Sequence, residues 1–206
     1  MIGTSWTHRL ARLAVRPLVG TVVTPNVLTT LRLVTGLLAC AALVPGETGW
    51  DWWAGGLWLL SAFLDRADGE LARLGGTCTP GGHLYDYYVD NFVNAAVFVG
   101  LGIGLRHSGL GTVAIALGLA TGAALFICGY WSEALERLQG PEAKAYSGAY
   151  GFDPDDLLYL LAPIIWLGWN AELVVAASLG ATTMMLLTGW RLREALRARE
   201  RTGVLS

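Results

Sequence analysis

Four aspartates stand at two short spacings, Asp65 and Asp68, then Asp86 and Asp90, in an otherwise apolar chain. On a wheel of 100° per residue the first pair lies about 60° apart and the second about 40° apart, so each pair occupies one helix face. A charged side chain inside a membrane span costs about 2.5–3.5 kcal/mol on insertion scales, so these residues need a reason to be there. Carboxylates converging in a low dielectric cannot all stay ionised without cations. Two divalent ions with oxygen ligands meet that need, and Mg²⁺ or Mn²⁺ suits so hard a site. Helix-end aspartates lying separately in the headgroup zone would not explain the paired spacing.

The neighbours fit the same chemistry. Gly69 and Ala72 fall on the face of Asp65 and Asp68 and leave room for a phosphate to approach the helix backbone. Arg73 follows, placed for charge-assisted hydrogen bonds to that phosphate. Gly75, Gly76, Pro80, Gly81 and Gly82 make a tight turn between the two aspartate pairs. Glu70 points about 140° from Asp65 and is expected to face solvent or a partner. Arg32 sits in the first apolar segment, where a carboxylate or a bound phosphate must compensate it.

The elements that must position these residues are membrane helices. Hydrophobic residues make up 54% of the 206 and charged residues 15%, with 27 glycines, and mean hydropathy is +0.49. Such a composition excludes a soluble enzyme, a disordered tail and a disulfide-stapled module. A net charge of −2 argues against nucleic acid as a partner. Residues 1–20 place Ile2, Trp6, Leu10, Leu13 and Pro17 on one face beside Arg9, Arg12 and Arg16, as in a helix lying in the membrane interface with its arginines toward headgroups. Six apolar segments follow, at about 26–45, 50–74, 82–105, 109–136, 154–169 and 171–192, each near the length needed to span a bilayer. The chain thus reads as a single all-α membrane domain: an interfacial helix (1–20), a bundle of six transmembrane helices (26–192) and a basic tail (193–206). The basic residues cluster on the side of the termini, which places both termini and the aspartates at the cytoplasmic face of a cell (inner) membrane.

Asp65-x-x-Asp68-Gly69-x-x-Ala72-Arg73, then Gly82-x-x-x-Asp86-x-x-x-Asp90, matches the signature of the CDP-alcohol phosphotransferase (CDP-alcohol phosphatidyltransferase) family at every defining position. Upstream, Pro25-Asn26-x-x-Thr29-x-x-Arg32 resembles the opening of the family's first spanning helix. The layout of an interfacial helix followed by six spans is also similar, so the likeness covers nearly the whole chain. The resemblance implies displacement of CMP from a CDP-linked donor by an alcohol hydroxyl, with two divalent metals. It assigns Asp65, Asp68 and Asp86 to the metals, and Asp90 to the second metal and to the role of general base. It places Asn26, Thr29, Asp68, Gly69, Ala72, Arg73, Thr79 and Gly82 around the donor. It further implies CDP-diacylglycerol as the donor, a role in phospholipid biosynthesis, and a homodimer.

The acceptor alcohol is less constrained. Relatives that take a phosphorylated polyol place basic residues at the cytoplasmic ends of the later spans. Here Glu133, Glu136, Asp153, Asp155 and Asp156 stand there, with Arg137, Lys144, Arg191 and Arg193 as the basic candidates. Glu133, Arg137, Asp153 and Arg191 are the candidate acceptor contacts, and the acidic excess favours a neutral or amine-bearing alcohol. Three other readings compete. A CDP-aminoalcohol:diacylglycerol phosphotransferase would exchange donor and acceptor. A divalent-cation transporter would use the same aspartates, but Arg73 beside a cation path and carboxylates at one membrane edge argue against it. An intramembrane prenyltransferase would leave Gly69, Ala72, Arg73 and Gly82 unexplained.

Overall fold

The computed structural model describes residues 6–140 and 154–201, and all regular structure among them is helical. Helix α1 spans Trp6–Val15, α2 Pro25–Leu43, α3 Thr48–Gly75, α4 Pro80–Gly104, α5 Thr112–Gln139, α6 Leu161–Trp166 and α7 Asn170–Arg201. Short 3₁₀ turns follow α1 (Arg16–Leu18) and α4 (Leu105–His107), and another precedes α6 (Pro154–Leu160). Asp153 and Lys144 lie outside the described residues.

Among the described residues, four helical stretches are long and apolar enough to cross a membrane: Pro25–Leu43, Pro80–His107, Thr112–Gln139 and Asn170–Glu200. Helix α3 is about 42 Å long at 1.5 Å per residue, but Asp51, Asp65, Arg66, Asp68, Glu70 and Arg73 keep it below the hydropathy of a plain span. The segment expected over 154–169 is shorter and divided. Its apolar helical part runs only Leu157–Trp166, and Pro163 removes a backbone donor within it. It leans on α3, where Trp58 Nε1 donates to the Leu158 carbonyl (2.8 Å) and Tyr159 Oη to the Ala62 carbonyl (2.9 Å). At the other end α7 passes residue 192 without a break and carries the C-terminal arginines on a helix.

Helix α2 packs on α3 and α4, α5 on α4 and α7, and α1 on α3. The core between α2, α3 and α4 is built on Ala39, Leu43, Trp58, Val93 and Val97. Helices α4 and α5 approach closely because both present glycine at the crossing. A Cβ on Gly102 would meet the Ala114 carbonyl oxygen at 2.5 Å, and one on Gly118 would run into the Phe98 carbonyl oxygen.

The turn between α3 and α4 sets the two aspartate pairs against each other. Gly76 closes α3 at φ +63°, a left-handed conformation that glycine adopts without steric cost. The Thr77 N–H then returns to the Ala72 carbonyl (3.0 Å). Thr79 caps α4, its Oγ1 accepting from the Gly82 N–H at 3.0 Å, and Pro80 occupies the first turn, where its missing N–H is not needed.

Helix α1 departs from the expected arrangement. Trp6, Leu10 and Leu13 are exposed, and so are Arg9 and Arg16. Arg12, however, is turned inward to Glu70 of α3, with Nε donating to Oε2 at 2.7 Å. Glu70 itself is 1% exposed rather than facing solvent. A wheel on one helix shows relative directions only; the docking of α1 on this side of α3 decides which direction is inside.

Candidate active site

Asp65, Asp68 and Asp86 converge. One carboxylate oxygen from each lies within 4.8 Å of the other two. Thr29 donates its hydroxyl to Asp68 Oδ2 at 2.5 Å, with the Pro25 carbonyl a second contact at 3.2 Å. Thr29 thus holds an aspartate, and it also lines the cavity beside the site.

Arg32 is the compensating charge. Only 2% exposed, it reaches from α2 between α3 and α4. One terminal nitrogen pairs with Asp65 Oδ1, the other with Asp90 Oδ1, and the first also lies 3.8 Å from Asp86 Oδ1. A carboxylate partner for Arg32 was legible from its burial in an apolar segment; its bridging of two helices was not. Asn94, one turn along α4, donates to the same Asp90 oxygen at 2.6 Å. The four-residue spacing from Asp90 was a visible signal for Asn94. Asp90 stands outside the three-carboxylate cluster, tied instead to Arg32 and Asn94.

The donor set fits hard divalent cations. Its ligand atoms are all carboxylate oxygens, and Asp86 Oδ1 is buried with no hydrogen-bond partner. Asp65, Asp86 and Asp90 share the guanidinium of Arg32, and these carboxylates cannot all stay ionised side by side without further cations.

A cavity of about 700 Å³ opens beside the aspartates, with Asp68 and Asp86 in its wall. Helix α3 contributes Gly69, Ala72 and Arg73, helix α2 contributes Asn26 and Thr29, and the start of α4 contributes its cap Thr79 with Gly82 and His83. The donor contacts expected from the sequence therefore share one cavity. A Cβ on Gly69 would meet only the guanidinium of Arg73, at 3.2 Å, and one on Gly82 would lie 3.0 Å from Thr79 Oγ1 and 3.4 Å from Asn26 Oδ1. The loop from Leu18 to Thr24 supplies a further wall that the sequence did not indicate.

The acceptor candidates are less coherent. Arg137 Nε donates to Glu133 Oε1 at 3.1 Å along α5, so each offsets the other. Arg191 is exposed on α7, and Asp153 lies outside the described residues.

The sequence pattern of the CDP-alcohol phosphatidyltransferase family matches residues 22–190. A phosphatidylinositol phosphate synthase of Cutibacterium acnes is 33% identical over 106 residues, covering 50% of this chain and 48% of that protein. The alignment thus spans about half the length of this curated relative. The crystal structure of a Mycobacterium tuberculosis phosphatidylinositol phosphate synthase with CDP-DAG bound superimposes with a TM-score of 0.58 at 17% identity, covering 93% of this chain and 92% of that one. That likeness is one of fold. With its two aspartate pairs brought together beside one cavity, and with the family pattern running over most of its length, the chain belongs to the CDP-alcohol phosphatidyltransferase family.

Proposed function

We propose that this chain transfers a phosphatidyl group from CDP-diacylglycerol to the hydroxyl of a second alcohol, releasing CMP, at the cytoplasmic face of the cell membrane. The observation that carries the reading is the convergence of Asp65, Asp68 and Asp86 at the edge of a cavity walled by Gly69, Ala72 and Arg73. Asp65, Asp68 and Asp86 would hold one divalent ion and Asp90 would reach a second. When bound, such ions offset the charge of the pyrophosphate and stabilise the departing CMP.

The chain's own residues do the rest. Arg73, 47% exposed at the cavity wall, presents a guanidinium to the donor phosphates. Gly69 and Gly82 leave the helix backbones open to the nucleotide. Thr29 fixes the orientation of Asp68 through its 2.5 Å hydrogen bond. Arg32 and Asn94 both donate to Asp90 Oδ1, which leaves Oδ2 to take the proton of the acceptor hydroxyl.

The Mycobacterium tuberculosis synthase was solved with CDP-DAG bound, which supports a lipid donor here. For the acceptor, both similar proteins are phosphatidylinositol phosphate synthases. Because Arg137 offsets Glu133, the acidic residues argue less strongly against a phosphorylated polyol than their number suggests. Inositol phosphate is therefore a second reading beside a neutral or amine-bearing alcohol. The family likeness also supports a homodimer.

The test is CMP release by the purified protein in nanodiscs with Mg²⁺ and CDP-diacylglycerol. Inositol phosphate, glycerol phosphate, serine, choline and inositol are offered in turn. Release with one of them supports the reading and names the product. Release only from CDP-choline or CDP-ethanolamine with diacylglycerol exchanges donor and acceptor, and no release from either set contradicts the proposal.

A further inference from the structure

Glu70 sits beside the metal-site helix face without belonging to it. Its neighbours Asp68 and Gly69 line the cavity, while its own side chain turns the other way and is 1% exposed. A buried carboxylate is costly unless its lone pairs are filled, and here they are. Oε1 accepts from His8 Nδ1 at 3.0 Å and from Arg73 at 2.8 Å; Oε2 accepts from Arg12 Nε at 2.7 Å. Arg66 lies 3.3 Å from His8 Nε2. An arginine can only donate, so Nε2 accepts and the ring proton resides on Nδ1, where it points at Glu70.

The partners of Glu70 lead to two walls of one cavity. Arg73 is itself a wall residue on α3. His8 and Arg12 belong to α1, which continues through the 3₁₀ turn Arg16–Leu18 into the loop whose Leu18, Val19, Thr21 and Thr24 form another wall. Beyond these ties α1 rests on α3 through the buried Thr7, Ala11 and Val15, Trp6 lies 6.2 Å from the Tyr159 ring, and Leu10 and Leu13 are exposed. The polar hub is therefore a principal tie of α1 to the bundle.

We propose that Glu70 is a positioning residue for donor binding: through Arg73 and through His8 and Arg12 it couples the seating of α1 to the shape of the nucleotide cavity. The inference rests on the reading of that cavity as the donor site. A purely structural Glu70 would alter stability alone. A positioning Glu70 alters the affinity for the cytidine nucleotide and the exposure of the loop at 18–24, with the rate at saturating donor largely kept.

The test uses full-length protein in nanodiscs with Glu70→Gln, Glu70→Asp and Arg12→Gln. Arg12 is 43% exposed and does not line the cavity, so its variant keeps the test open should Glu70→Gln fold poorly. CDP affinity is measured by calorimetry, and backbone hydrogen exchange is followed over residues 16–27. The expected result is CDP binding weakened about 5- to 10-fold in Glu70→Gln and about 3-fold in Arg12→Gln, partial recovery in Glu70→Asp, and faster exchange over 18–24 in both glutamine variants. Asn170→Ala, at the Asp51 hydrogen bonds remote from this cavity, serves as the destabilised control. Wild-type CDP affinity and unchanged loop exchange in Glu70→Gln and Arg12→Gln, with a melting temperature lowered as in the control, would overturn the proposal. If the wild-type protein binds no CDP, the donor reading falls by itself, and the exchange data alone decide whether Glu70 couples α1 to the loop.

Discussion

Replacing Thr29 by Val tests whether the aspartates are held for metal binding or merely collected at a helix end. The side chain is buried, and Val reproduces its shape, so the substitution removes a hydroxyl without opening a cavity. What is lost is the 2.5 Å hydrogen bond to Asp68 Oδ2. A hydrogen bond to a charged group contributes about 1.5–3 kcal/mol, and each ~1.4 kcal/mol is a factor of ten in an equilibrium constant. The expected loss of divalent-ion affinity is therefore about 10- to 100-fold, the range found when groups that orient metal ligands are removed. Mn²⁺ binding to protein in nanodiscs, followed by the electron paramagnetic resonance of the free ion, reads this directly. Thr29→Ser, which keeps the hydroxyl, should bind within about threefold of wild type. Wild-type Mn²⁺ affinity in Thr29→Val would refute the claim that Thr29 orients a metal-binding Asp68.

Two further outcomes are expected. Asp90→Asn keeps an acceptor oxygen for Arg32 and Asn94 but cannot take a proton, so the turnover rate should fall about 10²- to 10⁴-fold while CDP affinity measured by calorimetry stays near wild type. Gly118→Val forces α4 and α5 apart, because its Cβ would run into the Phe98 carbonyl oxygen and lie 3.0 Å from Gly102 Cα. It should cost about 1–3 kcal/mol of stability, seen as a lower melting temperature with Mn²⁺ affinity retained.

The parts of the fold legible in the sequence were those with periodic or steric signatures. The long apolar stretches gave α2, α4, α5 and α7, and the paired spacings of Asp65 with Asp68 and Asp86 with Asp90 gave two helix faces that the Gly76 turn brings together. The segment after residue 153 was harder: its apolar composition suggested a span, but Pro163 and the 3₁₀ stretch Pro154–Leu160 shorten it. Arg12 was misplaced, and Glu70 was left open between solvent and a partner, for a different reason. Each looks like a surface charge on its own helix, and only the tertiary docking of α1 on α3 makes them partners. Thr29 was legible as part of a motif, but its hydrogen bond to Asp68 depends on the crossing of α2 and α3. Arg32 announced its need for a partner through burial alone, and packing supplied Asp65 and Asp90 together.

The central claim is that these aspartates hold divalent ions that a phosphatidyl transfer requires. Its most direct measurement is CMP release from CDP-diacylglycerol nanodiscs, with each candidate acceptor alcohol offered in turn, for wild type and Asp68→Asn side by side. Release is predicted with Mg²⁺, lost on chelation, restored by Mg²⁺ or Mn²⁺, and absent in Asp68→Asn at every metal concentration. Equal release after exhaustive chelation, or wild-type rates in Asp68→Asn, would contradict the account.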